Sequence, residues 1–112
     1  PNYDKESVEN TLIALREAEV NESIMIDASH GNSQKKFKQQ IPVVQSIGDQ
    51  IISGNSYIKG VMIESHLNEG NQKISDKLKY GQSITDACMG WDDTLSCLDQ
   101  LNSAVEKRRS KK

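Results

Sequence analysis

The chain has 112 residues, 35% hydrophobic and 4% aromatic, with a formal charge of −2. That length allows a single domain with a lean aliphatic core, and the charge gives no electrostatic ground for nucleic acid or an anionic membrane as partner. No apolar run approaches the roughly 20 residues of a membrane-spanning helix and no signal peptide is visible, so the expected location is cytoplasmic.

The chain opens at Pro1 rather than Met, which suggests a piece of something longer. Asp4 or Ser7 can cap a helix whose apolar positions Val8, Leu12 and Leu15 share one face, fading near Asn21. A strand is expected at about 23–28, where "IMIDASHGNS" (24–33) passes from apolar residues straight into Asp27, Ser29, His30 and Asn32. Asn32 or Ser33 then opens a second helix with Phe37, Ile41, Val44 and Ile51 at helical spacing. Pro42 lies inside it and is expected to kink or split it. Ser53-Gly54-Asn55 ends that helix, and Tyr57 to Glu64 reads as a second strand. In "GVMIESHLNEG" (60–70), Val61-Met62-Ile63 again runs into acid, Ser and His. A last helix starts at Asp92 or Asp93 with Leu95, Leu98, Leu101 and Val105 inward. Its basic end, "EKRRSKK", suits a helix C-terminus better than a binding patch.

Strand, crossover helix and strand make a βαβ unit, hence neighbouring parallel strands with a right-handed connection. Residues just past the carboxyl ends of such strands face the ligand crevice. His30 and Glu64 therefore belong at one edge of the sheet. About thirty residues without clear periodicity follow Glu64. They hold Tyr80, Ile84, Met89, the single Trp and three glycines, so an ordered, packed loop is expected. Within it "SITDACMGW" (83–91) sets Asp86 between apolar neighbours.

His30, Glu64 and Asp86 could form a mixed nitrogen and oxygen metal site, suited to Mn²⁺, Fe²⁺, Co²⁺ or Zn²⁺. On spacing alone the signal is weak, because a strand-end His is more often hydrogen-bonded structure than ligand. His66 rivals His30, and Asp27 rivals either acid. Cys88 would be a reactive thiol if exposed beside a metal, although a small buried Cys is the commoner case. Cys88 and Cys97 are too few for a disulfide framework or a zinc ribbon.

The segments "IMIDASHGNSQKKFKQQ", "GVMIESHLNEGNQ" and "YGQSITDACMGWDDT" resemble the C-terminal part of the metal-dependent 3-deoxy-D-arabino-heptulosonate 7-phosphate (DAHP) synthases of the bacterial and fungal type, which are regulated by aromatic amino acids. "PNY" at the start and "NSAVEKRR" near the end also fit, and the resemblance covers essentially the whole chain in order and spacing. It implies a TIM (β/α)8 barrel, with residues 1–112 as the C-terminal portion of a single catalytic domain. The chain would supply a helix, then strands seven and eight with their helices, and the long loop would lie over the barrel mouth. It implies metal ligands at His30, Glu64 and Asp86, with a fourth, a Cys from an early barrel loop, that has no counterpart here. It implies condensation of phosphoenolpyruvate with erythrose 4-phosphate, the first step of the shikimate pathway of aromatic amino acid biosynthesis. His30 would serve both metal and phosphoenolpyruvate, and Asp86 would lie near the aldehyde, making these two the catalytic and substrate-binding residues. The family's phosphate-holding Arg and Lys side chains would precede Pro1, so the fragment alone is expected to be inactive.

The alternative from another class is a self-contained, non-catalytic βαβα module binding a metal or small ligand. Two parallel strands make a poor sheet, however. Alone, the chain is expected to form a homo-oligomer. Ile24, Met25, Ile26, Val61, Met62 and Ile63 would bring unpaired strand edges and apolar faces to water, and helix faces carrying Val8, Leu12, Leu95 and Leu98 would lose cover.

Overall fold

The computed structural model describes residues 1–111. The element order is α1 (Lys5–Glu17), β1 (Ile24–Asp27), α2 (His30–Ser33), a 3₁₀ turn (Phe37–Gln39), α3 (Gln40–Ile52), β2 (Ile58–Met62) and α4 (Trp91–Ser110). β1 and β2 pair in parallel, with Met25 beside Gly60, Ile26 beside Val61 and Asp27 beside Met62. A register irregularity between Ile24 and Met25 leaves Lys59 without an opposite residue. The expected βαβ unit is therefore present.

Alternation along the strands sends successive side chains to opposite faces of the sheet. Ile26 and Ile58 join the core with Val43, Val44, Ile47 and Ile51 of α3 and with Val8 and Leu12 of α1. Met25 points the other way, lies against the bare backbone of Gly60 and stays 66% exposed. One face of the sheet is covered by helices and the other is open.

Asp4 caps α1 as expected, its carboxylate accepting from both the backbone N–H and the hydroxyl of Ser7. Val8 and Leu12 are buried, which corrects the expectation that their face loses cover: the core between α1 and α3 shields them. The second helix also differs from expectation. A short helix already begins at His30, and the chain is broken by left-handed Gln34 and Lys35 before α3 starts at Gln40. Pro42 is the third residue of α3, in the turn whose N–H groups have no helical partner, so it removes no hydrogen bond and splits nothing.

α4 packs against α3 through small residues. Cys97 and Ala104 are buried, and the Ala104 methyl lies 3.8 Å from where a Cβ on Gly48 would stand. α4 starts at Trp91, one residue before the earliest expected start. Leu101 and Val105 pack on the core as expected, while Leu95 and Leu98 are 45% and 49% exposed, the loss of cover expected of the chain alone. Contact along the narrow Cys97–Ala104 line leaves the adjoining leucine stripe outside it. The basic end of α4 has a structural use. Arg108 donates to the Asn55 carbonyl at 2.9 Å and Lys111 to the Ile52 carbonyl at 2.7 Å, so both cations close the carboxyl end of α3.

Residues 65–90 form an ordered excursion, as expected. Gly70 and Cys88 exchange backbone hydrogen bonds at 2.8 and 3.1 Å, Gln72 N–H donates to the Ser83 carbonyl, and Met89 is fully buried. Tyr80, Ile84 and Trp91 are not packed away, with exposures of 86%, 49% and 48%.

Candidate metal centre

Both strands end at one edge of the sheet and release their polar residues there. After β1, Asp27 turns back on the chain that follows it. Its carboxylate accepts the Ser29 N–H at 2.7 Å and meets His30 Nδ1 at 2.8 Å, while its carbonyl accepts from the Asn32 amide at 2.8 Å. His30 sits at φ 48°, a left-handed conformation that costs energy for a side-chain-bearing residue. A carboxylate can only accept, so Nδ1 carries the proton and Nε2 presents its lone pair outward.

That nitrogen faces two acids. The Glu64 carboxylate lies 3.7 Å from it and the Asp86 carboxylate 3.6 Å. Glu64 follows β2, whereas Asp86 arrives from the far limb of the 65–90 excursion. One donor atom from each of the three residues falls within 4.8 Å of the others. Their side chains are 44%, 22% and 53% exposed for His30, Glu64 and Asp86, so the site opens to solvent. The buried Ser29 hydroxyl donates to the Glu64 carboxylate, orienting it.

The donor chemistry fits a divalent metal: one neutral imidazole and two carboxylates, with bonds of about 2.0–2.2 Å, is a common borderline set. A His whose other nitrogen is held by a carboxylate is the usual outer arrangement for a metal-bound imidazole. The pKa of His30 is raised, first by the hydrogen bond to Asp27 and then by the charges of Asp27 and Glu64. Asp27 thus proves to be a partner of His30 rather than a fourth member of the cluster. His66 also lies outside it, its Nδ1 accepting the Leu67 N–H at 2.8 Å. Cys88 is half-buried and Cys97 buried, and burial pushes both thiols up, away from the reactive thiolate.

Two further residues at this edge matter to the site and are not singled out by the sequence. Ser29 is hidden in the polar run after β1, yet its hydroxyl is the one that donates to Glu64. Gln40 is wholly buried, and both atoms of its amide engage the Glu64 backbone. A cavity of about 390 Å³ adjoins the site, lined by Asp27, Ser29, Gly31 and Asn32 with Pro1 and Asn2. A larger groove of about 740 Å³ lies elsewhere, between α1 and α3, and holds none of the expected site residues.

The donors converge beyond the carboxyl ends of two parallel strands, the edge at which α/β folds place their ligand sites. Residues 1–99 match the DAHP synthetase I family, and the chain belongs to that family. It is 50% identical over 115 residues to the tyrosine-inhibited phospho-2-dehydro-3-deoxyheptonate aldolase of Schizosaccharomyces pombe, covering 97% of this chain and 31% of that protein. It is 48% identical over 111 residues to the Phe-sensitive phospho-2-dehydro-3-deoxyheptonate aldolase of Escherichia coli K12, covering 97% and 32%. Among solved structures, phospho-2-dehydro-3-deoxyheptonate aldolase from Francisella tularensis superposes with a TM-score of 0.93 at 46% identity, over 97% of this chain and 32% of that one. The chain spans about a third of the length of the curated relatives it matches. Among the described residues no helix is long and apolar enough to cross a membrane.

Proposed function

We propose that this chain carries the metal-binding edge of a DAHP synthase active site, and that the whole protein condenses phosphoenolpyruvate with erythrose 4-phosphate, releasing phosphate. On this reading residues 1–112 are the C-terminal portion of one (β/α)8 barrel, with β1 and β2 as its seventh and eighth strands. The protein works in the cytoplasm as a homo-oligomer. The observation that carries the reading is the convergence of His30, Glu64 and Asp86 from three separate segments onto one point. Family membership favours it over a non-catalytic βαβα module.

A bound Mn²⁺, Fe²⁺, Co²⁺ or Zn²⁺ would supply Lewis acidity toward the aldehyde oxygen of erythrose 4-phosphate. The residues supply placement. Asp27 holds the His30 ring so that Nε2 faces the site, and the Ser29 hydroxyl fixes the Glu64 carboxylate. His30 serves both metal and phosphoenolpyruvate, and Asp86, the most exposed of the three, stands beside the aldehyde substrate. Precise placement of reacting partners is where such a site gains most of its rate.

His30→Ala in the intact protein is expected to strip the bound metal and abolish turnover. Unchanged metal content and rate would overturn the assignment, and both are read by elemental analysis and by DAHP formation.

A further inference from the structure

Gln40 offers no donor to the cluster, yet it is 0% exposed at the start of α3. Its Oε1 accepts the Glu64 N–H at 2.9 Å and its Nε2 donates to the Glu64 carbonyl at 3.0 Å. This is the pair of bonds that a neighbouring strand would provide. Strand pairing does not extend this far, because the β1–β2 register closes at Asp27 and Met62. From the other side the Met89 N–H donates to the same Glu64 carbonyl at 3.1 Å. Glu64 is therefore held between α3 and the limb that carries Asp86. A buried amide is costly unless its bonds are made, and an apolar side chain would fill the space without that demand. The use of Gln here points to the residue it grips.

We propose that Gln40 is a positioning residue for the candidate metal centre: its amide clamps the Glu64 backbone and so aims the Glu64 carboxylate at His30 and Asp86. The proposal rests on the donor-set reading above. Partners that orient a ligand from outside are typically worth about 10- to 100-fold in metal affinity, and Gln40 acts in that way through the main chain.

The test is a Co²⁺ titration of the intact protein, followed by ligand-field absorption, with thermal unfolding of the metal-free protein alongside. Gln40→Met keeps the volume and removes both bonds. It is expected to weaken Co²⁺ binding by about 10- to 100-fold and to shift the absorption bands. Placed on a Glu64→Gln background it is expected to add no further loss, since its effect passes through Glu64. Unchanged affinity and bands in Gln40→Met overturn the proposal, as do fully additive losses in the double variant. If Gln40→Met does not fold, Gln40→Asn keeps an amide that is one methylene too short to reach both the Glu64 N–H and its carbonyl. Wild-type Co²⁺ binding by that variant overturns the proposal equally. His30→Ala separates the two readings. If it binds Co²⁺ normally the donor set itself is wrong, whereas if it abolishes binding while Gln40→Met is silent, only the role of Gln40 falls.

Discussion

Asp27 is the residue on which the chemistry of His30 depends. Its carboxylate fixes the imidazole tautomer and favours the charged ring, so His30 titrates above the ordinary value near 6.5. For a raised folded-state value, the contribution of protonated His30 to the metal-free fold is complete below about pH 6.5 and is lost as pH rises through the higher value. A metal needs the neutral ring, so binding releases a proton in that same window. Asp27→Asn keeps the shape and removes the charge. In an NMR titration of the metal-free protein it is expected to bring the His30 midpoint down toward about 6.5, and a midpoint that does not move would remove Asp27 as the cause. The site was unevenly legible in the sequence. His30 and Glu64 could be placed together because each follows an apolar run, and parallel strands end at one edge. Asp86 could be joined to them only weakly, since the excursion that brings it has no periodicity, and the family resemblance was needed to strengthen its place. Gln40 gave no signal at all: a polar residue in the first turn of a helix reads as solvated until the partner of its amide is seen.

At the scale of elements, helical spacing located α1, α3 and α4, and apolar runs located both strands. The expectation for Pro42 fails for a physical reason. Pro42 was read as a break, but its effect depends on whether its own N–H would have had a partner, and spacing does not reveal which turn it occupies. Leu95 and Leu98 lose cover as expected of the chain alone, and the packed line of α4 is the adjoining small-residue one, Cys97 and Ala104, that lets it approach Gly48. Glycines on either side of this contrast should respond oppositely. Gly48→Ala places its methyl at an ordinary 3.8 Å from Ala104 and removes a glycine from a helix interior, for an expected gain of roughly 0.5–1 kcal/mol. Gly81→Ala puts a Cβ at φ +76° and 3.0 Å from the Leu67 Cβ, so it is expected to lower the melting temperature. A Gly48→Ala variant less stable than wild type in thermal unfolding would refute this account of the α3–α4 contact.

The molecule as a whole is open. Its surface of 7433 Å² exceeds the roughly 6200 Å² expected for a compact monomer of this mass. Its radius of gyration of 16.0 Å exceeds the about 13 Å expected for this length. Among the exposed apolar residues, Met25 stands bare on the uncovered sheet face and Trp91, Leu95 and Leu98 follow one another along α4. Such faces, with strand edges beside them, call for cover from more chain or from another copy. The 112-residue polypeptide on its own is therefore expected to associate in solution at micromolar concentration. Light scattering that reports a stable 12.5 kDa monomer with cooperative unfolding would overturn this.

The excursion that delivers Asp86 is laced at its neck and again higher up. Gly70 pairs with Cys88, and the Gln72 amide engages both the N–H and the carbonyl of Lys79. Residues 73–78 hang beyond that second clasp, with Ile74 76% exposed and Leu78 51% exposed. Two closures therefore stand between the tip and the base. A change at 73–78 is expected to meet the Gln72–Lys79 closure before it reaches Cys88 and Asp86. The tip is thus expected to tolerate lengthening, shortening or rewriting while the acid beneath it stays in register with His30.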